Sequence, residues 1–141
     1  MPTIAIIGGG LAGAKAAQAL REQDFDGDVV LFGAEDHLPY ERPPLSKDYL
    51  AGSKSLSEFT VHDGDWYRDQ RVDLRPGTAI EKIDAAGHSV SLPDGNSLSY
   101  EKLILATGSR SRHLDLPGAD AGGVHPVSYT HLRAHETVLD L

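Results

Sequence analysis

Hydrophobic residues along the chain fall into short runs that alternate with polar and glycine-rich segments. The runs Ile4 to Ile7 and Val29 to Phe32 are typical of strands buried on both faces of a parallel sheet. Between them, Leu11 to Arg21 is rich in alanine, the best helix former, and predicts a helix that packs closely on the sheet. Residues Lys102 to Ala106 predict a third buried strand.

Smaller elements are predicted in the middle of the chain. The prolines between Leu38 and Leu45 predict a stiff loop rather than a helix or strand. Ser46 is a candidate cap for a short helix that reaches about Leu50 and ends at Gly52. The remaining predicted elements are a short helix from Trp66 to Gln70, strands at Val72–Leu74 and Thr78–Ile83, and a hairpin of His88–Leu92 and Ser97–Tyr100 around Pro93–Asn96.

This order of elements predicts the fold class. Strand, helix and strand come first, a small antiparallel meander follows, and a further parallel strand comes last. Such an order is expected at the start of a doubly wound, Rossmann-like α/β domain with a parallel sheet and an inserted β-meander.

A glycine motif of the form G-x-G-x-x-G lies between the first strand and the helix, at Gly8, Gly10 and Gly13. In a dinucleotide-binding turn, the first glycine permits the tight bend and the second lets backbone approach a pyrophosphate. The third lets the helix pack against the strand. Phosphate would then lie on the free N–H groups of the helix N-terminus. The motif alone is weak, but the strand before it and the helix after it strengthen the prediction.

An acidic residue stands close to the position expected for a ribose ligand. Glu35 lies 22 residues after Gly13, just beyond the second predicted strand. Asp36 is adjacent and is the alternative, and either carboxylate could be a solvated loop charge. Glu35 is favoured because it lies closer to the strand end.

Composition and charge narrow the function classes. The chain has 141 residues and a net charge of −8, which argues against nucleic acid or an anionic membrane as a partner. No apolar run approaches the roughly 20 residues that span a bilayer, and no signal peptide precedes the first strand, so a cytoplasmic location is the default expectation. The absence of cysteine excludes a disulfide framework, a thiolate metal site and a redox cysteine pair.

The C-terminal residues do not fit the rest of the chain. Val127 to Thr137 resembles one reading frame of a transposase-type sequencing-library adapter over eleven consecutive residues. Residues 127–141 are therefore predicted to be a non-native tail, and residues 1–126 the native part of the domain. His131 and His135 belong to this tail, and their spacing is not interpreted as a metal site, because a third ligand is missing.

Three segments together resemble a known family. They are the glycine motif, the segment Pro39 to Lys47 (PYERPPLSK) and the strand end Leu105 to Gly108 (LATG). From Ile4 to about His125 the chain is similar to the FAD-dependent ferredoxin reductases of the putidaredoxin reductase and rhodocoxin reductase type. The resemblance implies a glutathione-reductase-like FAD-binding domain, of which this chain is an N-terminal, truncated part.

The resemblance also implies roles for particular residues. The adenosine half of FAD would lie on the glycine turn, with its ribose at Glu35, and the cations of the proline segment would approach the phosphates and the flavin. A backbone contact to the adenine side would fall near Ile80, and the strand end at residues 106–108 would close over the cofactor. The implied cofactor-binding residues are Gly8, Gly10, Ala12, Gly13, Glu35, Arg42, Lys47, Ile80, Ala106, Thr107 and Gly108. Simpler alternatives are a surface ion pair for Arg42, a solvated charge for Lys47, core packing for Ile80 and an ordinary strand exit at Ala106–Gly108.

The implied function is electron transfer. The intact protein would pass electrons from NADH or NADPH via FAD to an iron–sulfur ferredoxin that serves a P450 or a ring-hydroxylating dioxygenase. The nicotinamide site would lie outside this chain, so no catalytic residue is assigned and the chain alone is expected to be inactive. Two alternatives remain: a non-catalytic flavin- or NADH-binding sensor of the same fold, and a nitrite reductase flavoprotein subunit.

Overall fold

The computed structural model describes residues 1–110, 112 and 114–124. The described residues divide into two compact units, one made of residues 1–41 and 59–108 and the other of residues 42–58 and the described residues from 109 onward. The regular elements of the described part are β1 Thr3–Ile7, α1 Leu11–Glu22, β2 Asp28–Phe32, α2 Gly64–Asp69, β3 Val72–Arg75, β4 Lys82–Asp84, β5 Ser89–Ser91, β6 Ser97–Ser99 and β7 Lys102–Leu105, with 3₁₀ helices at Pro43–Ser46 and Leu56–Phe59.

A four-stranded parallel sheet forms the centre of the first unit, in the order β3-β2-β1-β7. Ile7 is in register with Phe32 of β2 and with Leu105 of β7, so the carboxyl ends of these three strands meet at one edge. The chain leaves β1 for β2 and β3 on one side and returns to β7 on the other. This reversal next to β1 is the topological switch point at which open α/β sheets bind ligands.

One face of the sheet is covered by the helices. Ala14 and Ala17 of α1 are fully buried, which lets the helix approach the sheet closely, and Tyr67 of α2 packs into the same cluster. Asp63 begins α2 by accepting a hydrogen bond from the Trp66 N–H at 2.8 Å. The buried members of this cluster are Ile4, Ile6, Ala17, Val29, Leu31, Tyr67 and Val72.

The opposite face is covered by a second sheet. Strands β4, β5 and β6 form an antiparallel meander, and the hairpin between β5 and β6 is closed by Asp94, which accepts a hydrogen bond from Asn96 N–H at 2.9 Å. A second core cluster of buried side chains joins the meander to alternate residues of β1 and β2. Its buried members are Ala5, Ile7, Val30, Phe32, Val90, Leu92 and Tyr100. The predicted Rossmann-like parallel sheet with an inserted β-meander is therefore confirmed.

The predictions for the proline segment are wrong in detail. Pro43–Ser46 forms a 3₁₀ helix rather than a loop, and Ser46 ends this helix instead of capping a new one. The prolines stand at the first helical positions, where a missing N–H costs nothing. Lys47 then leaves helical geometry with φ −130° and ψ −107°, and hydrogen-bonded turns continue to Gly52.

Two strand predictions also need correction. Of the predicted strand Thr78–Ile83, only Lys82 and Ile83 belong to β4. Thr78 lies outside the strands and donates its N–H to the Gly33 carbonyl at 2.7 Å. Strand β7 was predicted to be buried, yet it is one of the two outer strands of the described sheet and Leu105 is 61% exposed.

The second unit begins within the proline segment, at Arg42. Its described part contains the 3₁₀ helix Pro43–Ser46 and an ion pair between Lys54 and Asp48 at 3.1 Å. Within the described ranges, no helix is long and apolar enough to cross a membrane.

Candidate dinucleotide site

The turn after β1 is closely packed between the ends of the two neighbouring strands. Gly8 donates its N–H to the Phe32 carbonyl at 2.9 Å, and Ala106 donates to the Ile7 carbonyl at 2.8 Å. Gly8 has φ +125°, and a Cβ placed there would lie 2.0 Å from the Ala106 carbonyl oxygen. No side chain fits at this position, because backbone rather than a movable side chain would have to give way.

Gly13 allows the first turn of α1 to pack on the β1 turn. A Cβ at Gly13 would lie 2.0 Å from the Gly8 carbonyl oxygen and 3.1 Å from the Leu31 side chain. Glycine at the first and third motif positions is thus required by the packing of the turn itself.

Gly10 is different from the other two motif glycines, because no contact with another protein atom requires a glycine at this position. Its backbone is extended (φ −96°, ψ −170°), which any residue adopts, and a Cβ there would meet nothing within 4 Å. Gly10 is the N-cap of α1, yet no side chain caps the helix and no acidic residue lies in its first turn. The N–H groups of the first turn, at Leu11, Ala12 and Gly13, therefore lack a side-chain cap and lie at the positive end of the helix dipole.

A second close approach of backbone was missed by the sequence reasoning. A Cβ on Gly9 would lie 2.9 Å from the Gly33 Cα, so the turns after β1 and β2 touch without side chains between them. Gly33 is also tied to the third strand, since its N–H donates to the Arg75 carbonyl at 3.1 Å. The available signal was the glycine directly after the second apolar run.

Glu35 lies two residues beyond this contact, in the exposed loop at the same edge of the sheet. Its carboxylate accepts a hydrogen bond from the Tyr40 hydroxyl at 2.5 Å, and its carbonyl accepts one from Gly77 N–H at 2.9 Å. The Asp36 carboxylate lies beside Gly77. Tyr40 was not singled out from the sequence, because nothing local predicts that its hydroxyl turns toward Glu35.

The other implied cofactor residues are placed as follows. Ala106 follows β7 directly beside Gly8, while Thr107 and Gly108 are exposed and Gly108 has φ +70°. The Ile80 side chain packs against the second core cluster, which leaves its backbone for any contact with a ligand. Arg42 and Lys47 flank the 3₁₀ helix of the second unit, whereas the glycine turn belongs to the first.

A cluster of aromatic side chains around α2 holds two buried polar atoms. The His62 ring stacks on Trp66 with centroids 3.8 Å apart, and Tyr67 meets both rings edge-on. Neither His62 Nε2 nor the Tyr67 hydroxyl has a protein hydrogen-bond partner in the described part. Burial lowers the pKa of His62, helped by the nearby charge of Lys15, and burial raises the pKa of Tyr67 to about 12.

The described residues contain no group of three or more His, Cys, Asp or Glu side chains placed to hold a metal ion. His131 and His135, and the whole predicted tail, lie outside the described residues.

The fold and the turn together define a class of protein. A parallel sheet, a glycine-rich turn at the switch point and an uncapped helix N-terminus are the parts of a Rossmann-like dinucleotide-binding domain. A model of the pyridine nucleotide-disulphide oxidoreductase family matches residues 2–138, and the chain belongs to this family.

Three proteins to which the chain is similar are named as reductases. The chain is 40% identical to a ferredoxin–NAD(P)+ reductase of a Sphingomonas species, over 96% of the chain and 32% of the relative. It is 42% identical to rhodocoxin reductase of Rhodococcus erythropolis, over 87% of the chain and 29% of the relative. The solved covalent complex of putidaredoxin reductase with putidaredoxin matches with a TM-score of 0.78 and 31% identity, over 96% of the chain and 34% of that protein. The chain thus spans about a third of the length of these relatives.

Proposed function

We propose that the chain is the N-terminal, FAD-binding part of an NAD(P)H-dependent flavoprotein that passes electrons to an iron–sulfur ferredoxin. The electron-transfer part of the proposal is supported by the relatives, which are a ferredoxin–NAD(P)+ reductase, a rhodocoxin reductase and a putidaredoxin reductase. The ferredoxin would in turn serve a P450 or a ring-hydroxylating dioxygenase, since several related proteins are reductase components of dioxygenase systems.

The observation that carries the proposal is the open space at Gly10. The protein leaves the N–H groups of α1 without a side-chain cap and leaves no atom within 4 Å of a Cβ at its N-cap. A diphosphate supplies both missing parts, because its oxygens accept hydrogen bonds from the helix N-terminus and its negative charge is stabilised by the helix dipole. The residues present therefore fit the ADP half of FAD.

Other residues would complete the site in the intact protein. The Glu35 carboxylate would accept hydrogen bonds from the adenosine ribose. Ala106, Thr107 and Gly108 would approach the cofactor through their backbone, as would Ile80 on the adenine side. Arg42 and Lys47 would supply positive charge to the phosphates and the flavin region.

The chemistry divides between cofactor and chain. Bound FAD would supply the redox chemistry that joins a two-electron donor to a one-electron acceptor. The residues of this chain bind and orient the ADP half, and the absence of cysteine excludes a protein disulfide within this chain from the electron path. We place NADH or NADPH binding and ferredoxin recognition in the intact, longer protein, and we place that protein in the cytoplasm.

We also propose that residues 127–141 are a non-native tail joined to a native domain of residues 1–126. The adapter-like sequence Val127 to Thr137 carries this proposal, while the family match runs across the junction to residue 138. Genomic DNA sequenced across codon 126 tests it. Continuation of the frame into a different sequence is expected, and a genome that encodes Val127 to Leu141 would overturn it.

The cofactor proposal is tested by titration of the 141-residue chain with FAD. We expect quenching of flavin fluorescence on binding, competition by ADP, and no comparable binding of riboflavin, which lacks the diphosphate and adenosine. Equal binding of riboflavin, or no effect of ADP, would contradict a site built around the glycine turn. NADH-dependent reduction of a ferredoxin by the genomic full-length protein tests the activity, and the 141-residue chain serves as the inactive control.

A further inference from the structure

We propose that Tyr40 is a positioning residue that holds the Glu35 carboxylate ready for the adenosine ribose; this inference rests on the proposed FAD site. The Tyr40 hydroxyl donates to Glu35 Oε2 at 2.5 Å, and the two residues are only five positions apart along the chain. Glu35 itself is an exposed loop residue, whereas the Tyr40 side chain is 4% exposed. The buried phenol thus connects a fixed part of the domain to a carboxylate on an exposed loop residue.

The position of Tyr40 is set by a contact between distant segments. Tyr40 forms an antiparallel bridge with Thr60. The flanking residues supply its two hydrogen bonds: Glu41 N–H donates to the Phe59 carbonyl at 2.9 Å, and Val61 N–H donates to the Pro39 carbonyl at 2.8 Å. The Phe59 ring meets the Tyr40 ring edge-on at 6.1 Å. Backbone and ring are both held, so the hydroxyl has little freedom to leave Glu35.

A held carboxylate is a better ribose ligand than a mobile one. A free glutamate side chain loses rotamer freedom when it binds a ligand, and prior ordering removes this cost. A carboxylate has about four acceptor positions, so one bond from Tyr40 leaves enough for the ribose hydroxyls. Asp36, the alternative acid, lies beside Gly77, whereas the Tyr40 hydroxyl donates to Glu35.

The test is a double-mutant cycle in the 141-residue chain with Tyr40→Phe and Glu35→Gln. The probes are FAD, ADP and 2′-deoxy-ADP. We expect Tyr40→Phe to weaken FAD and ADP about 3- to 10-fold, the range expected for ordering one flexible side chain. Tyr40→Phe should weaken the binding of 2′-deoxy-ADP less than that of ADP. The double variant should bind ADP no more weakly than Glu35→Gln alone.

Tyr100→Phe is the matched control, since it also removes a buried phenol hydroxyl, one that bonds to the Asp84 carbonyl at 3.4 Å instead of to Glu35. It should leave all three affinities unchanged. Thermal unfolding of each ligand-free variant separates a folding defect from a binding defect.

The outcomes separate this inference from the proposed function. If Glu35→Gln weakens ADP but Tyr40→Phe does not, or if the two effects add, the positioning role is overturned while the FAD site stands. An equal loss for ADP and 2′-deoxy-ADP in Tyr40→Phe also overturns it. If the unmodified chain binds neither FAD nor ADP, the proposed function itself fails and this inference fails with it.

Discussion

Replacement of Gly10 by aspartate should make the protein more stable and at the same time unable to bind FAD. The extended backbone of Gly10 accepts any residue, and its Cβ would meet no atom within 4 Å. An aspartate there can cap α1 as Asp63 caps α2, by accepting a backbone N–H bond at about the 2.8 Å seen for Asp63. The new carboxylate would then occupy the place proposed for the diphosphate.

The expected magnitudes follow from the helix terminus. An aspartate cap is worth a few tenths of a kcal/mol more than glycine, and its charge adds about 0.3–1 kcal/mol with the helix dipole. The gain of roughly 0.5–1 kcal/mol corresponds to a rise in Tm of about 2–5 °C for a chain of this size. Binding should weaken by about 100-fold or more, because at least one charge-assisted hydrogen bond is lost and a like charge is added.

The assay combines thermal unfolding of the ligand-free chain with FAD titration. Gly64→Asp is the matched control: Gly64 begins α2, its Cβ would also meet nothing within 4 Å, and the substitution adds the same charge at a helix N-terminus. This control should leave FAD affinity unchanged. If Gly10→Asp binds FAD within about threefold of the unmodified chain, the diphosphate does not lie at α1, and the reasoning is refuted.

Three further predictions concern stability. Gly13→Ala should lower the free energy of unfolding in urea by about 2–4 kcal/mol, because the alanine Cβ would lie 2.0 Å from the Gly8 carbonyl oxygen. A loss below about 1 kcal/mol would contradict this, because it would show that the turn adjusts easily. Arg21→Met should cost about 2–4 kcal/mol in the same assay, because the guanidinium donates to the carbonyls of Phe25, Gly27, Gln70 and Arg71. Arg21→Lys should not restore the lost stability, since one ammonium group cannot reach all four carbonyls. Full recovery of stability with lysine would contradict this explanation. Because burial lowers the pKa of His62 in the folded state, the unfolded state takes up its proton first, so stability is full above about pH 6.5 and falls as the pH drops below it. His62→Phe should keep the stack on Trp66 and reduce this acid loss, as followed by the fluorescence of the chain's single tryptophan, and an unchanged pH dependence would exclude His62 as its source.

Elements with strong local patterns could be predicted from the sequence. Strands β1 and β2 are continuous apolar runs and α1 is rich in alanine, so each signal is complete within a few residues. The hairpin was also predictable, because Pro93–Asn96 supplies its own turn chemistry. The proline segment was mispredicted because a proline excluded from a helix interior is accepted at a helix start.

Contacts between distant segments could not be predicted. The hydroxyl of Tyr40 reaches Glu35 only because residues 39–41 pair with residues 59–61, and neither segment has a periodic pattern. The contact between Gly9 and Gly33 depends on how the ends of β1 and β2 meet, which the register of the sheet decides. Local composition likewise does not indicate that β7 is an outer strand of the described sheet.

The most direct test of the proposed cofactor site is to follow backbone amide resonances of the 141-residue chain during titration with FAD. We predict that the largest chemical-shift changes fall on the amides of residues 10–13 at the start of α1, with further changes at Gly33 and Glu35. FAD binding that leaves the amides of residues 10–13 unmoved would contradict the assignment of the glycine turn as the diphosphate site.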